Sequence, residues 1–193
     1  MFVSVMQVAI CAFGALLFAC AARRKLRSSE EFAAVLANYR ILPGGWTRAM
    51  AFALPGAEFL VASALLVPPV RTVGLSGAIA LSVIFAVAVA INIRRGRSYI
   101  ECGCGATAGP RSSLHWGLVL RNLVLAAVFS WCAITPAGPL TWGAVAVGVV
   151  AGVNAYLLYA GYEALAVIAN FPRPKLSAAM RELAWRVHPG VRT

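Results

Sequence analysis

Two cysteines separated by one glycine are the residues whose types and spacing point most directly to chemistry. Cys102 and Cys104 lie in the run Glu101-Cys102-Gly103-Cys104-Gly105. Thiols this close can form a small, strained disulfide where the backbone permits, and Gly103 supplies that conformational freedom. Strained disulfides are labile and oxidising, which suits thiol–disulfide exchange better than stapling a fold. Cys102 and Cys104 are therefore a candidate redox pair.

Charged neighbours would tune such a pair. Arg94, Arg95 and Arg97 precede it and favour the nucleophilic thiolate, whereas Glu101 opposes that form. On the residues alone, a tight turn with idle, reduced thiols is an equally good interpretation. A metal site is the weaker alternative, because structural zinc needs four ligands and the remaining Cys and His spacing does not suit a finger. We expect no metal.

The other cysteines lie in apolar runs. Cys in a membrane helix is usually a small packing residue, so we expect this of Cys11 and Cys132. Cys20 lies where its run ends, at the predicted level of Cys102 and Cys104. It is the weak candidate for a resolving thiol.

The elements that must position these residues are membrane helices. The chain has 193 residues, 61% hydrophobic and 12% charged, against about 45–50% apolar and about 25% charged residues in soluble domains. This composition excludes an ordinary soluble enzyme and a disordered chain. Each of five apolar stretches is long enough to span a bilayer as a helix, and they lie at about 2–22, 46–67, 73–93, 114–135 and 140–162. The sequence predicts an all-α integral membrane protein with one bundle over residues 1–170.

Two further segments have helical amphipathic patterns outside the spans. Residues 29–41 place apolar side chains on one face and predict a helix lying on the membrane surface. Residues 171–193 predict a basic tail with a similar interfacial helix.

The distribution of charge predicts the orientation. The net charge is +11, and nearly all Lys and Arg residues follow the first span, the third span or the fifth, with Arg71 alone on the other side. Because basic loops stay in the cytoplasm, we expect an inner-membrane protein with its N-terminus outside and its C-terminus inside. The charges lie at the ends of apolar runs, so the expected partner is the lipid bilayer and not nucleic acid.

Two ionisable residues lie within predicted spans. Glu58 in the second span and Arg121 in the fourth are expected to form an intramembrane ion pair. Such a pair either fixes the register of the bundle or serves a proton or quinone site. We expect no cofactor, and the sequence leaves a quinone site open.

The order of these motifs resembles the MauE family, within the DoxX-like group of small membrane helix bundles. The matching motifs lie at residues 25–26, 32, 39–43, 54–58, 92–97, 100–105 and 120–123. The resemblance covers about residues 13–130, and it implies a DoxX-like four-helix core to which this chain adds a fifth span.

The resemblance implies a maturation role without independent catalytic activity beyond thiol–disulfide exchange. MauE-like proteins act with a periplasmic thioredoxin-like partner, MauD, and are needed to produce the small (beta) subunit of methylamine dehydrogenase. By position, Cys102 and Cys104 would be the family's thiol pair, and Glu58 and Arg121 its intramembrane polar residues.

The predicted orientation conflicts with direct oxidation of the small subunit, the client of this maturation. The client is periplasmic, whereas Cys102 and Cys104 are predicted to be cytoplasmic. A relay of reducing equivalents across the membrane, a re-entrant loop and a scaffold for the partner all stay open. The alternatives to redox maturation are a non-redox membrane assembly scaffold and a small proton-linked transporter that uses Glu58.

Overall fold

Long apolar runs become helices because a helix satisfies its own backbone hydrogen bonds. The computed structural model describes residues 1–41, 43–97, 114–136 and 138–169, and within these ranges it contains α-helices and short 3-10 turns but no strand. The helices are α1 (Phe2–Arg27), α2 (Ser29–Tyr39), α3 (Thr47–Leu66), α4 (Arg71–Arg94), α5 (Trp116–Ile134) and α6 (Trp142–Ala169). The expected all-α class is confirmed.

Five helical segments are long and apolar enough to cross a membrane: α1, α3, α5, α6 and the segment Pro68–Arg94 that contains α4. Their outer faces carry large apolar side chains, among them Leu60, Leu120 and Leu158, which are 73%, 63% and 76% exposed. Such faces suit contact with lipid. The predicted tail at 171–193 lies outside the described residues.

The end of the bundle that carries most of its positive charge is called the basic end here. α1 finishes there with Arg24, Lys25 and Arg27 in its last turn, and α4 finishes there with Arg94. Arg71 begins α4 at the other end, called the opposite end.

The helices pack in a defined order. α1 lies between α3 and α6, while α4 lies between α3 and α5. Phe18, Leu65 and Phe129, from α1, α3 and α5, belong to one buried cluster, and the Phe18 and Phe129 ring centroids are 6.0 Å apart. Leu75 and Leu81 of α4 belong to it as well, so the cluster joins four spans at the centre of the bundle.

Two glycines of α6 allow it to lie close against α1. A Cβ atom at Gly148 would lie 2.6 Å from Cβ of Val8, and one at Gly152 would lie 2.5 Å from the carbonyl oxygen of Ala9. Small residues permit such approaches between membrane helices. The small-residue face of α6 therefore serves packing within this chain.

The short helix α2 occupies the predicted surface-helix segment and packs against α3. Its apolar face is anchored by Phe32 and Tyr39, which are both buried. Arg40, with φ of 47°, ends the helix in the left-handed conformation that commonly terminates helices. This docking places the ring of Phe32 next to the ammonium of Lys25 on α1.

Candidate functional site

The predicted redox pair lies in the segment that joins α4 to α5. Glu101, Cys102 and Cys104 lie outside the described residues, but the two helix ends that hold the segment are described. α4 ends at Arg94 and α5 begins at Trp116. Residues 98–113 are called the thiol segment here, and α4, which precedes them, finishes at the basic end.

The three arginines before the thiol segment differ in their surroundings. Arg94 and Arg95 are exposed, whereas Arg97 is partly buried. One guanidinium nitrogen of Arg95 donates a hydrogen bond of 3.3 Å to the carbonyl oxygen of Arg40, after α2. The backbone N–H of Arg97 donates to the carbonyl oxygen of Asn92 at 2.9 Å. These contacts fix the chain that leads into the thiol segment, and the proposed tuning of Cys102 and Cys104 stays a prediction.

A buried ion pair joins α1 to α3. Lys25 donates from its ammonium to Oε1 of Glu58, and the two side chains are only 3% and 1% exposed. The ammonium also lies 4.5 Å from the ring centroid of Phe85 on α4 and 5.4 Å from that of Phe32 on α2. Aromatic faces attract a desolvated cation. The Lys25 ammonium of α1 therefore lies close to side chains from α2, α3 and α4.

This contact corrects the expected pairing of Glu58 with Arg121. Glu58 pairs with Lys25, and Arg121 on α5 pairs with Glu163 on α6. The physical reason is the packing of the helices, since α3 makes its extensive contacts with α1, α2 and α4. Sequence reasoning assigned Lys25 to the charged segment after the first span, although α1 stays helical through Arg27.

The Arg121–Glu163 pair forms a second polar group at the basic end. Tyr159, one turn before Glu163, donates from its hydroxyl to Oε1 of Glu163 at 3.1 Å. The Tyr159 ring packs edge-on against Phe13 of α1, with centroids 5.8 Å apart. The group therefore links α5, α6 and α1.

Cys20, the weak candidate for a resolving thiol, is partly buried on α1. Contact between Cys20 and the Cys102–Cys104 pair stays a prediction.

Within the described residues, no group of three or more His, Cys, Asp or Glu side chains is placed to hold a metal ion. The Oε2 atom of Glu58 and the Oδ1 atom of Asn92 are buried without a hydrogen-bond donor in this part of the chain.

Comparison with known proteins decides the family. The family model described as methylamine utilisation protein MauE matches residues 3–135, which run from the start of α1 to the end of α5. The chain belongs to the MauE family. The match contains the thiol segment, Lys25, Glu58 and Arg121, so every sequence-predicted site residue lies within the family region.

Several curated MauE proteins are similar over most of this chain. The methylamine utilization protein MauE of Paracoccus denitrificans is 44% identical over 149 residues, which are 76% of this chain and 80% of that protein. Its counterpart from Paracoccus versutus is 40% identical over 153 residues, with 78% and 82% coverage. That from Methylophilus methylotrophus is 37% identical over 163 residues, with 84% and 85% coverage. No solved structure gives a significant match.

Proposed function

We propose that this MauE-family chain is a methylamine-utilisation protein that supports thiol–disulfide-linked maturation of the methylamine dehydrogenase small subunit. Its proposed partner is a periplasmic thioredoxin-like protein of the MauD type. The observation that carries the proposal is the family match over residues 3–135, because that range contains Cys102 and Cys104. The names of the relatives supply the link to methylamine utilisation. Beyond thiol–disulfide exchange we assign no catalytic activity.

We further propose an inner-membrane location with the N-terminus outside and the basic end in the cytoplasm. Basic residues such as Arg27 and Arg94 gather at the basic end, whereas Arg71 begins α4 at the opposite end. Cytoplasmic ends of membrane helices carry an excess of Lys and Arg. This orientation places the thiol segment on the cytoplasmic side.

The buried ion pair weakens the case for a proton-linked transporter. A carboxylate that carries protons must exchange them with water, but Glu58 is 0% exposed and one of its oxygens is bonded to Lys25. A pair of this kind is better suited to holding α1 and α3 in register. The competing function is therefore a non-redox assembly scaffold.

Replacing Cys102 and Cys104 distinguishes redox maturation from a scaffold function. The chain with Cys102→Ser and Cys104→Ser is expressed in a methylotrophic host that lacks its own MauE protein, beside a matched chain with Ser112→Ala and Ser113→Ala. We expect the cysteine variant to accumulate in the membrane normally and to lose growth on methylamine and the mature small subunit. The serine-to-alanine variant keeps both. Normal maturation without the two thiols would overturn the redox proposal and favour the scaffold.

Thiol labelling tests the orientation. A chain that retains only Cys102 and Cys104 is treated with a membrane-impermeant maleimide in intact cells and in inverted vesicles. We expect labelling in inverted vesicles alone, which would favour a relay or docking role at the cytoplasmic face. Labelling in intact cells would overturn the orientation and favour direct oxidation of periplasmic clients.

A further inference from the structure

Two buried cysteines from different helices meet in the opposite half of the bundle, away from the thiol segment. Cys11 of α1 and Cys132 of α5 are each 3% exposed and belong to the same buried cluster. Two contacts between α1 and α5, Gly14 with Phe129 and Gln7 with Thr135, lie on either side of them and place the two cysteines at the same level of the bundle. The cysteines are 121 positions apart in sequence (132 minus 11), so the fold alone brings them together.

Contacts one helical turn away on either side hold the two cysteines in register. Toward the bundle centre, Phe129 of α5 fills the space left by Gly14 of α1, where a Cβ atom would lie 2.7 Å from the ring. Toward the opposite end, Nε2 of Gln7 donates to the carbonyl oxygen of Thr135 at 2.9 Å. The thiols therefore lie about 5 Å, one helical turn, beneath the Gln7–Thr135 bond.

The surroundings of the pair also connect it to the membrane surface. Leu65, in the last turn of α3, belongs to the same cluster, and the connection Val67–Val70 that follows is exposed. Irregular backbone of this kind is not stable in contact with lipid, so the connection must lie at the aqueous boundary. Arg71 follows directly, and its Nε is buried without a hydrogen-bond acceptor in the described structure.

We propose that Cys11 and Cys132 are a second redox pair, which forms a reversible disulfide by exchange with the disulfide of a thioredoxin-like carrier protein at the opposite end of the bundle. The inference deepens the proposed function and rests on it for the class of carrier. Under the proposed orientation this pair faces the periplasm, where the client subunit is matured. A periplasmic carrier protein could then exchange disulfides with Cys11 and Cys132, although Cys102 and Cys104 lie on the cytoplasmic side in the same orientation.

The exchange balances without any other reactant. One cysteine thiolate attacks the carrier disulfide, so a mixed disulfide forms and the carrier's leaving sulphur takes up a proton. The second cysteine then attacks the mixed disulfide, which forms the Cys11–Cys132 bond and releases the carrier's other sulphur as a thiol. Two electrons and two protons pass from the pair to the carrier, and the reverse reaction reduces the pair.

Disulfide trapping in the full-length chain tests this assignment. Cys20, Cys102 and Cys104 are replaced by serine, and a protease-cleavage site is inserted after Gly105. Membranes are incubated with purified thioredoxin in its disulfide form, quenched with acid, alkylated and cleaved. We expect the two halves to stay joined on a non-reducing gel and to separate after incubation with dithiol thioredoxin.

Single-cysteine controls and a chemical oxidant define the outcomes that overturn the inference. Chains with Cys11→Ser or Cys132→Ser in the same background should separate under every condition. If the halves of the test chain never join, even with copper–phenanthroline, the two thiols are not paired. If they join with that oxidant but never with thioredoxin disulfide, the pair is a packing contact and the exchange is refuted.

The result can be separated from the maturation test. The trapped chain lacks Cys102 and Cys104, so its cross-linking reports on Cys11 and Cys132 alone. A negative trapping result overturns this inference whatever the outcome for the Cys102→Ser/Cys104→Ser chain. As a cellular readout, Cys11→Ala with Cys132→Ala should lower small-subunit maturation while the protein still folds, because alanine is a small apolar residue suited to the same buried position.

Discussion

The Lys25–Glu58 contact predicts an unusual set of stabilities for three variants. Lys25→Met and Glu58→Leu each remove one charge and leave the other buried, while the double variant replaces the pair with apolar side chains of similar size. Removing one partner of a buried pair costs about 3–5 kcal/mol, whereas replacing both is often neutral or stabilising by about 1–4 kcal/mol. We therefore expect each single variant to be much less stable than the parent and the double variant to be close to it.

The structure also predicts which of the two single variants is the less stable. The side chains are 3% and 1% exposed, so neither charge regains water when its partner is removed. In Glu58→Leu the ammonium keeps the rings of Phe85 at 4.5 Å and Phe32 at 5.4 Å. A desolvated cation–π contact contributes about 2 kcal/mol. In Lys25→Met the carboxylate has no such compensation, so this variant should be the less stable of the two.

Buried thiols provide the assay. In a chain with Cys20, Cys102 and Cys104 replaced by serine, a thiol-reactive dye reports exposure of Cys11 and Cys132 as the detergent-solubilised protein is heated. A loss of about 3–5 kcal/mol corresponds to a decrease in Tm of about 6–20 °C for a chain of this size. As a control, Glu30→Leu changes an exposed glutamate of α2 and should alter stability by less than about 0.5 kcal/mol.

The reasoning would be refuted if the double variant lost as much unfolding free energy as the two single variants together. Such additivity is typical of independent sites and not of a buried pair. Single variants that melt with the parent would likewise show that the charges are not buried together.

Two further predictions concern helix packing. Gly152→Ala should lower the Tm of the purified protein, because its Cβ atom would lie 2.5 Å from the Ala9 carbonyl and overpacking costs about 1–3 kcal/mol. Gly161→Ala, in the same helix with nothing within 4 Å, should be neutral or stabilising, since alanine is the better helix former by about 1 kcal/mol; equal effects would contradict the close approach of α6 to α1. Phe32→Ala should uncover the buried ammonium and loosen α2, which hydrogen–deuterium exchange would detect as faster exchange over Ser29–Tyr39. Unchanged protection of that helix would show that Phe32 does not anchor it.

The sequence was sufficient to predict the helices because each is specified locally. Runs of about 20 apolar residues must be helical in a bilayer, whatever their neighbours. The surface helix was predictable from the periodic spacing of Phe32, Val35, Leu36 and Tyr39. Its docking on α3 follows from the burial of Phe32 and Tyr39, which the pattern indicated without naming the surface that they cover.

The pairing of polar residues was not predictable because it depends on which helices are neighbours. Glu58 and Arg121 were recognised as intramembrane residues, but an apolar span gives little indication of its packing partner. Glu163 was missed because the fifth span was predicted to end at 162, whereas α6 continues to Ala169. The placement of Cys11 and Cys132 in one buried cluster was missed for the same reason, since nothing local marks α1 and α5 as adjacent.

Polar contacts add to close packing in giving this bundle a defined register. Between membrane helices, lipid is as apolar as leucine, so the register depends on close contacts such as that of Phe129 with Gly14 and on polar pairs between helices. Here Lys25–Glu58 relates α1 to α3, the Gln7–Thr135 bond relates α1 to α5, and Arg121–Glu163 relates α5 to α6. Because α1 takes part in two of these contacts, its position is set both near the basic end and near the opposite end. The meeting of Cys11 with Cys132 is a consequence of that register, since a slide of one turn along either helix would separate the two thiols by about 5 Å.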